Sequence, residues 1–220
     1  MQPIAILGGT FDPIHFGHLC MAQELCEALQ LASVRFVPAA SPPHRDQPQT
    51  ATAHRVAMVQ LAIAGNPAFI LDTRELEREG PSYTFDTLAT LRAELGTEVP
   101  LCLLLGGDAF LGLPSWHRWQ ELLGLAHIVV AHRPGAIPSE ASMPGALRAL
   151  WQQHCTDNPA SLTVSPAGHI LLHPITALDI SASAIREQLQ QGHSPHYLMP
   201  EAVLDYIHTY HLYENRSHGT

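Results

Sequence analysis

Positive charge is scarce in this chain of 220 residues: eleven Lys and Arg stand against twenty Asp and Glu, a formal net charge of −9. A nucleic acid or an anionic membrane surface needs a basic field on its partner, and this balance argues against both. A small anionic substrate stays open, because it needs only a few local cations. Cysteine is sparse too. The four residues Cys20, Cys26, Cys102 and Cys155 form no C-x-x-C pair and no regular spacing. That excludes a disulfide framework or zinc ribbon as the organising device and favours buried, reduced thiols for all but Cys155. Long apolar runs are missing as well. The opening Met1-Gln2-Pro3-Ile4-Ala5-Ile6-Leu7 is far too short for a signal or a membrane span, so a soluble cytoplasmic protein is expected. Neither the G-x-G-x-x-G dinucleotide fingerprint nor the G-K-[ST] ending of a P-loop occurs. The 15 histidines include three H-x-x-H pairs, none with the second ligand pair or the Glu of a zinc site.

What is there is a globular composition, 46% apolar and 14% charged, long enough for one domain with a proper core. Short apolar runs at residues 4–7, 34–38, 69–72, 101–105, 128–132 and 170–173 read as strands. Between them, apolar positions recur at helical spacing: Ala22, Leu25, Cys26 and Leu29; Val56, Val59, Ala62 and Ile63; Leu88, Leu91 and Leu95. Strands apolar throughout imply a sheet covered on both faces, and the alternation implies parallel pairing. The expectation is a single α/β domain with a doubly wound parallel sheet, Rossmann-like, its ligands at the carboxyl ends of the strands. Residues 133–166, rich in Pro and Gly with one helical piece at 146–153, break the rhythm and read as an insertion or lid. Two C-terminal helices follow, at 181–191, with Gly192 as its stop, and at 200–210, then a loose tail from Glu214.

Two segments carry chemistry. The first strand runs into Gly8-Gly9-Thr10-Phe11-Asp12-Pro13-Ile14-His15-Phe16-Gly17-His18 and then into a helix. Glycines at a strand end let backbone N–H groups approach a phosphate. His15 and His18, three apart at a helix start, can turn both rings toward one cavity beside a partly positive helix terminus. The second segment is Ile180-Ser181-Ala182-Ser183-Ala184-Ile185-Arg186. Ser181 and Ser183 sit where a helix opens, and Arg186 lies one turn in, with a guanidinium able to take two phosphate oxygens.

The first segment resembles the G-x-F-D-P-x-H-x-G-H signature of the nucleotidyltransferase superfamily, whose H-x-G-H element class I aminoacyl-tRNA synthetases share. The second resembles its I-S-S-T-x-I-R element, with Ala182 in place of one hydroxyl residue. The acceptor is read from the middle of the chain. Pro42-Pro43-His44-Arg45 offers two donors for a phosphate on a stiff loop. Pro81-Ser82-Tyr83-Thr84 opens a helix, Asp108 can accept from ribose hydroxyls, and Trp116 offers a plate for a flat ring. With the R-E-L-x-R-x-x-P-S-Y-T run at residues 74–84 and the H-R-P-G run at 132–135, this order is similar to bacterial nicotinate-nucleotide adenylyltransferases over almost the whole chain.

That resemblance implies adenylyl transfer from ATP to nicotinate mononucleotide, releasing pyrophosphate, in NAD biosynthesis. It implies catalytic roles for His15, His18 and Arg186, and an ATP site at Gly8, Gly9, Thr10, Phe11, Ser181 and Ser183. It implies a mononucleotide site at His44, Arg45, Thr84, Asp108, Trp116 and Arg133. Mg²⁺ would ride on ATP, since no carboxylate cluster suggests a cage for it. The family often has Tyr after the Trp; this chain has His117. Other readings are an adenylyltransferase acting on nicotinamide mononucleotide or phosphopantetheine, a cytidylyltransferase, and a nucleotide-binding module without turnover. The intact His15, His18, Ser181 and Arg186 argue against the last.

Overall fold

The computed structural model describes residues 1–41, 48–133, 135, 138–176 and 178–214. Seven parallel strands form one sheet: β1 (Ile4–Gly9), β2 (Ser33–Pro38), β3 (Phe69–Leu71), β4 (Leu101–Gly106), β5 (His127–His132), β6 (Cys155–Thr156) and β7 (Ile170–Pro174). Their order is β3-β2-β1-β4-β5-β7-β6, so the chain winds outward to one side and then to the other. The reversal lies between β1 and β4, the position where doubly wound sheets open a crevice. The pairing shows the opening directly. β1 stays with β2 to its end, Gly9 opposite Pro38. Its pairing with β4 stops at Ile6 opposite Leu103. Beyond Ile6 the two central strands diverge, and Gly8 and Gly9 stand at the lip of the gap.

The period of two along each strand divides the core. Ala5, Leu7, Phe36, Leu104 and Val129 face one layer, with helices α1 (Phe16–Ala28), α2 (Thr52–Ile63), α7 (Ala182–Gln190) and α8 (Glu201–Thr209). Ile6, Val37, Leu103, Leu105 and Val130 face the other, with α3 (Thr84–Leu95), α5 (Gly145–His154) and the short turns around Trp116. Each fully buried Leu, Ile or Phe contributes about 1.5–3 kcal/mol, which holds the helices to the sheet. Two shorter helices, α4 (Gly107–Leu111) and α6 (Ser161–Val164), and single 3-10 turns at Arg74–Leu76 and Glu140–Ser142 complete the described elements.

The six strands read from apolar runs are all present, five lengthened by a residue or two and β3 ending one residue early, at Leu71. The stretch 133–166 differs from its expectation. Among its described residues it buries Met143, Leu147 and Leu162 and supplies β6, an edge strand paired with β7. It is therefore packed into the fold rather than laid over it. The cysteines differ too: Cys102 is buried, but Cys20 and Cys26 are only half-buried, and all four thiols are free. Gly192 follows α7 at φ +74°, the left-handed position expected of a helix stop.

His127 is a buried polar residue within β5, fully enclosed. Its Nδ1 accepts from the His169 N–H at 3.1 Å, so its proton sits on Nε2 and is donated to the Ser165 carbonyl at 2.9 Å. Burial, the largest cause, lowers this imidazole from 6.5 to about 4.

Candidate active site

Gly8 and Gly9 end β1 and, with Thr10 just beyond it, form one wall of a cavity of about 350 Å³ in the gap between β1 and β4. A Cβ built on Gly8 meets nothing within 4 Å, so that backbone faces open space. Gly9 is constrained differently: a Cβ there would lie 2.9 Å from the Phe11 ring. Phe11 itself is buried in the core, edge-on to His18 with centroids 5.1 Å apart. Expected at the ATP site, it keeps its side chain away from the cavity and can offer a ligand only its backbone.

His15 is the extended residue capping α1, and His18 lies in the first turn. Their rings pack 3.8 Å apart between centroids at 30°. His18 Nδ1 accepts from the His15 backbone N–H at 3.4 Å, which places the His18 ring proton on Nε2 when the ring is neutral. Burial lowers His15 to about 4, so it is neutral near pH 7, and its buried Nδ1 has no hydrogen-bond partner in the protein. Gly17 permits this packing, since a Cβ there would stand 3.0 Å from the His15 ring and 3.6 Å from the Ile180 carbonyl.

That last contact brings the second segment alongside the first. Ser181 caps α7, its Oγ accepting from the Ala184 N–H at 3.2 Å. Arg186 Nη1 donates to the Asp12 carbonyl at 2.7 Å, and Nη2 to Ser183 Oγ at 3.3 Å. Its buried Nε has no partner. Segments about 170 positions apart in sequence thus meet, and part of the Arg186 fork already serves to hold the first loop in place.

On the far wall stand Thr84, Asp108 and Trp116. Thr84 begins α3, whose first turn is capped by no side chain and so presents backbone N–H groups. Asp108 lies in α4, directly after β4. Trp116 is half-buried, and His117 beside it stacks on Tyr83, centroids 4.3 Å apart at 29°. The aromatic wall therefore holds Trp116 together with a His–Tyr pair. Arg133, grouped with the mononucleotide residues on the sequence, does not line this cavity. It is exposed and pairs with Asp179 at 2.8 Å, on the approach to Ser181. His44 and Arg45 fall outside the described residues.

Three further side chains organise the site and were missed on the sequence. Arg55 is fully buried and donates to the carbonyls of Thr10 (2.7 Å), Ala39 (2.8 Å) and Thr50 (3.3 Å), tying three loops together. Asp12, also buried, accepts from the Gln49 N–H at 2.8 Å and the Tyr213 hydroxyl at 2.6 Å. Burial, with Asp12 beside it, pushes the Tyr213 phenol well up. Glu75 is buried in the cavity wall and accepts from Thr87 Oγ1 at 2.6 Å. Burial raises its carboxyl, against hydrogen bonds from Thr87 and Ser82.

A larger hollow, about 580 Å³, lies at the β3 edge between Arg35, Asp72, Arg74 and Glu94. Its arginines are already engaged: Arg35 meets Asp72 at 3.0 Å, and Arg74 bridges Asp72 and Glu94 at 2.8 and 2.9 Å. Burial pushes the Asp72 carboxyl up, but the hydrogen bonds from Arg74 and Arg35 outweigh it and hold it below its ordinary value. This network braces strands, which leaves the crevice between β1 and β4 as the candidate site.

A family model described as cytidylyltransferase-like matches residues 6–188 of the chain. Over 203 residues the chain is 51% identical to a protein of Halorhodospira halophila named "Probable nicotinate-nucleotide adenylyltransferase", covering 92% of this chain and 91% of that one. A protein of the same name from Dechloromonas aromatica is 47% identical over 214 residues, 97% of this chain and 99% of its own. Among solved structures, a Plasmodium falciparum nicotinic acid mononucleotide adenylyltransferase complexed with NaAD aligns with a TM-score of 0.72. It covers 97% of this chain and 98% of its own at 20% identity, a likeness of fold.

Proposed function

The chain belongs to the nicotinate-nucleotide adenylyltransferase family, and from that premise we propose how its residues divide the work. The reaction transfers the adenylyl group of ATP to nicotinate mononucleotide, giving nicotinate adenine dinucleotide and pyrophosphate in NAD biosynthesis. ATP lies along Gly8, Gly9 and Thr10 toward His15, His18, Ser181, Ser183 and Arg186. The mononucleotide occupies the cavity between Thr84, Asp108 and Trp116, its phosphate reached by His44 and Arg45. The observation that carries this division is the cavity itself. It opens where β1 and β4 separate, with glycine backbone on one wall and the open first turn of α3, a carboxylate and an indole on the other.

The mononucleotide phosphate attacks the α-phosphorus of ATP in line. One P–O bond forms, the bond to the bridging oxygen breaks, and pyrophosphate leaves. The attacking oxygen is already ionised near neutral pH, so no strong base is needed. Catalysis rests on alignment and on donors aimed at the oxygens where charge builds. His18 Nε2–H is one such donor, and its tautomer is fixed by the bond from the His15 backbone N–H. His15, kept neutral by burial, adds a dipole rather than a charge. Arg186 adds the fixed cation. Among the described residues no three His, Cys, Asp or Glu side chains converge as a metal site. The divalent ion of this reading is Mg²⁺, carried on the triphosphate as part of that substrate. Among the same residues no helix is long and apolar enough to cross a membrane, and the reading assigns the reaction to the cytoplasm.

A panel of acceptors with ATP, followed by pyrophosphate release, tests the reading. Nicotinate mononucleotide should give the highest kcat/KM, above nicotinamide mononucleotide and phosphopantetheine. A higher value for either rival, or ATP binding without release, overturns it.

A further inference from the structure

We propose that Tyr213, in the turn after α8, is a positioning residue of the ATP half of the site, acting through Asp12 to hold the loop between β1 and α1 against Arg186. The inference rests on the reading of that loop given above. Asp12 is buried between Thr10 and His15, and each of its oxygens has its own donor. The Tyr213 hydroxyl donates to Oδ1 at 2.6 Å and the Gln49 N–H to Oδ2 at 2.8 Å, so the plane of the carboxylate is set from two sides. Its backbone carbonyl takes Nη1 of Arg186 at 2.7 Å. A shift of Asp12 therefore moves the loop and the guanidinium together.

The backbone near both ends of this bond is held in a conformation that side chains disfavour. His211 and Tyr213 have φ of +50° and +65°, and Phe11, next to Asp12, has +50°. A residue with a Cβ resists this left-handed region and persists there only where its surroundings hold it. The Leu212 N–H closes the turn on the Ile207 carbonyl at 3.0 Å, and Tyr213 then packs on the same core layer as α1 and α7. A bare ring would pack there as well. What the hydroxyl adds is a direction for Asp12, and without it a buried carboxylate oxygen loses its donor. The helix itself is fastened elsewhere: the Tyr206 hydroxyl on α8 meets His54 Nδ1 on α2 at 3.0 Å. Docking α8 and aiming Asp12 thus fall to two different tyrosines, and substitution can separate them.

Steady-state kinetics of Tyr213→Phe, Asp12→Asn, their double variant and Tyr206→Phe test the assignment, each substrate varied in turn. Tyr213→Phe should raise KM for ATP about tenfold and leave KM for nicotinate mononucleotide within about twofold. Asp12→Asn should show the same split, since an amide has one oxygen to meet two donors. The double variant should be no more than about twofold worse than Asp12→Asn, because the hydroxyl acts through the carboxylate. Tyr206→Phe loosens α8 without touching Asp12 and should leave both KM values within about twofold. An unchanged KM for ATP in Tyr213→Phe, a parallel rise in both KM values, multiplying effects in the double variant, or the same split in Tyr206→Phe overturns the role. Should Tyr213→Phe not fold, Asp12→Asn decides: the split upholds the role and its absence overturns it. Wild-type enzyme in the same assay separates the two claims. No turnover there sinks the functional reading, whereas normal wild-type turnover with unaltered variants sinks only Tyr213.

Discussion

Lowering the pH from 6.5 to 4 should destabilise this protein through two imidazoles that the fold keeps neutral. His127 is fully enclosed, with Nδ1 facing a backbone N–H and Nε2–H facing a carbonyl. A second proton would have to enter on Nδ1, against that N–H. His15 is buried beside His18. Both stand at about 4 in the folded protein against 6.5 as their ordinary value. Between those values the unfolded chain binds more protons, so stability rises with pH and falls as pH drops through the window. Each histidine costs about 3 kcal/mol over the whole interval, and about 1.2 kcal/mol per pH unit near pH 5. Glu75 works in the opposite sense, since a raised carboxyl gains stability as pH falls, and Asp72, held low, loses its contribution only below the window. Comparison with His127→Gln removes both, because the variant keeps them. Its amide can accept from His169 and donate to Ser165 at every pH. Urea unfolding at half-unit steps from pH 4.5 to 7 should show a slope shallower than wild type by about 1.2 kcal/mol per pH unit near pH 5, the difference fading toward pH 7. Equal slopes in the two proteins would refute the account of His127 as a group folded only when neutral.

Three further outcomes follow from the site. His18→Ala should lower kcat by about 10²–10³, the size of one lost oxyanion donor, with mononucleotide affinity nearly intact by equilibrium binding. Near-normal turnover would remove His18 from the chemistry. Gly8→Ala adds a methyl that meets no protein atom within 4 Å, so the Tm should stay put while activity falls as the methyl enters the substrate path. Unchanged kcat/KM would place the substrate elsewhere. Trp116→Ala should raise KM for the mononucleotide about 3–10-fold, the worth of one aromatic stack, and leave KM for ATP alone. A matching rise for ATP would mean that the indole supports the whole cleft.

The strands were legible because each is a short apolar run bounded by breakers, and all six so marked are strands. β6 was not legible: Cys155–Thr156 has two residues and no apolar run, and it is a strand only because β7 offers it an edge. At the site, the glycines and the His15–His18 spacing announce themselves by residue type. Arg55 does not. An arginine among Val56, Met58 and Val59 reads as the polar face of α2, and its burial makes sense only when the carbonyls of Thr10, Ala39 and Thr50 converge on it. Arg133 shows the converse: its place in a familiar run said nothing of Asp179, the partner that the fold supplies. Glu75 sits inside a run recognised from the start, yet its partner is the Thr87 hydroxyl in the next helix, which no spacing rule connects to it.

The hydrogen bond from Tyr213 to Asp12 spans 201 positions of chain and orders events during synthesis. A ribosome adding roughly 5–20 residues per second makes the first loop some 10–40 s before the tyrosine that fastens it. Arg186, which grips the Asp12 carbonyl, also arrives late. Through that interval β1 and α1 can form, but the loop between them lacks two of its anchors. The growing chain therefore holds this loop by fewer bonds until α8 and the turn after it have been made.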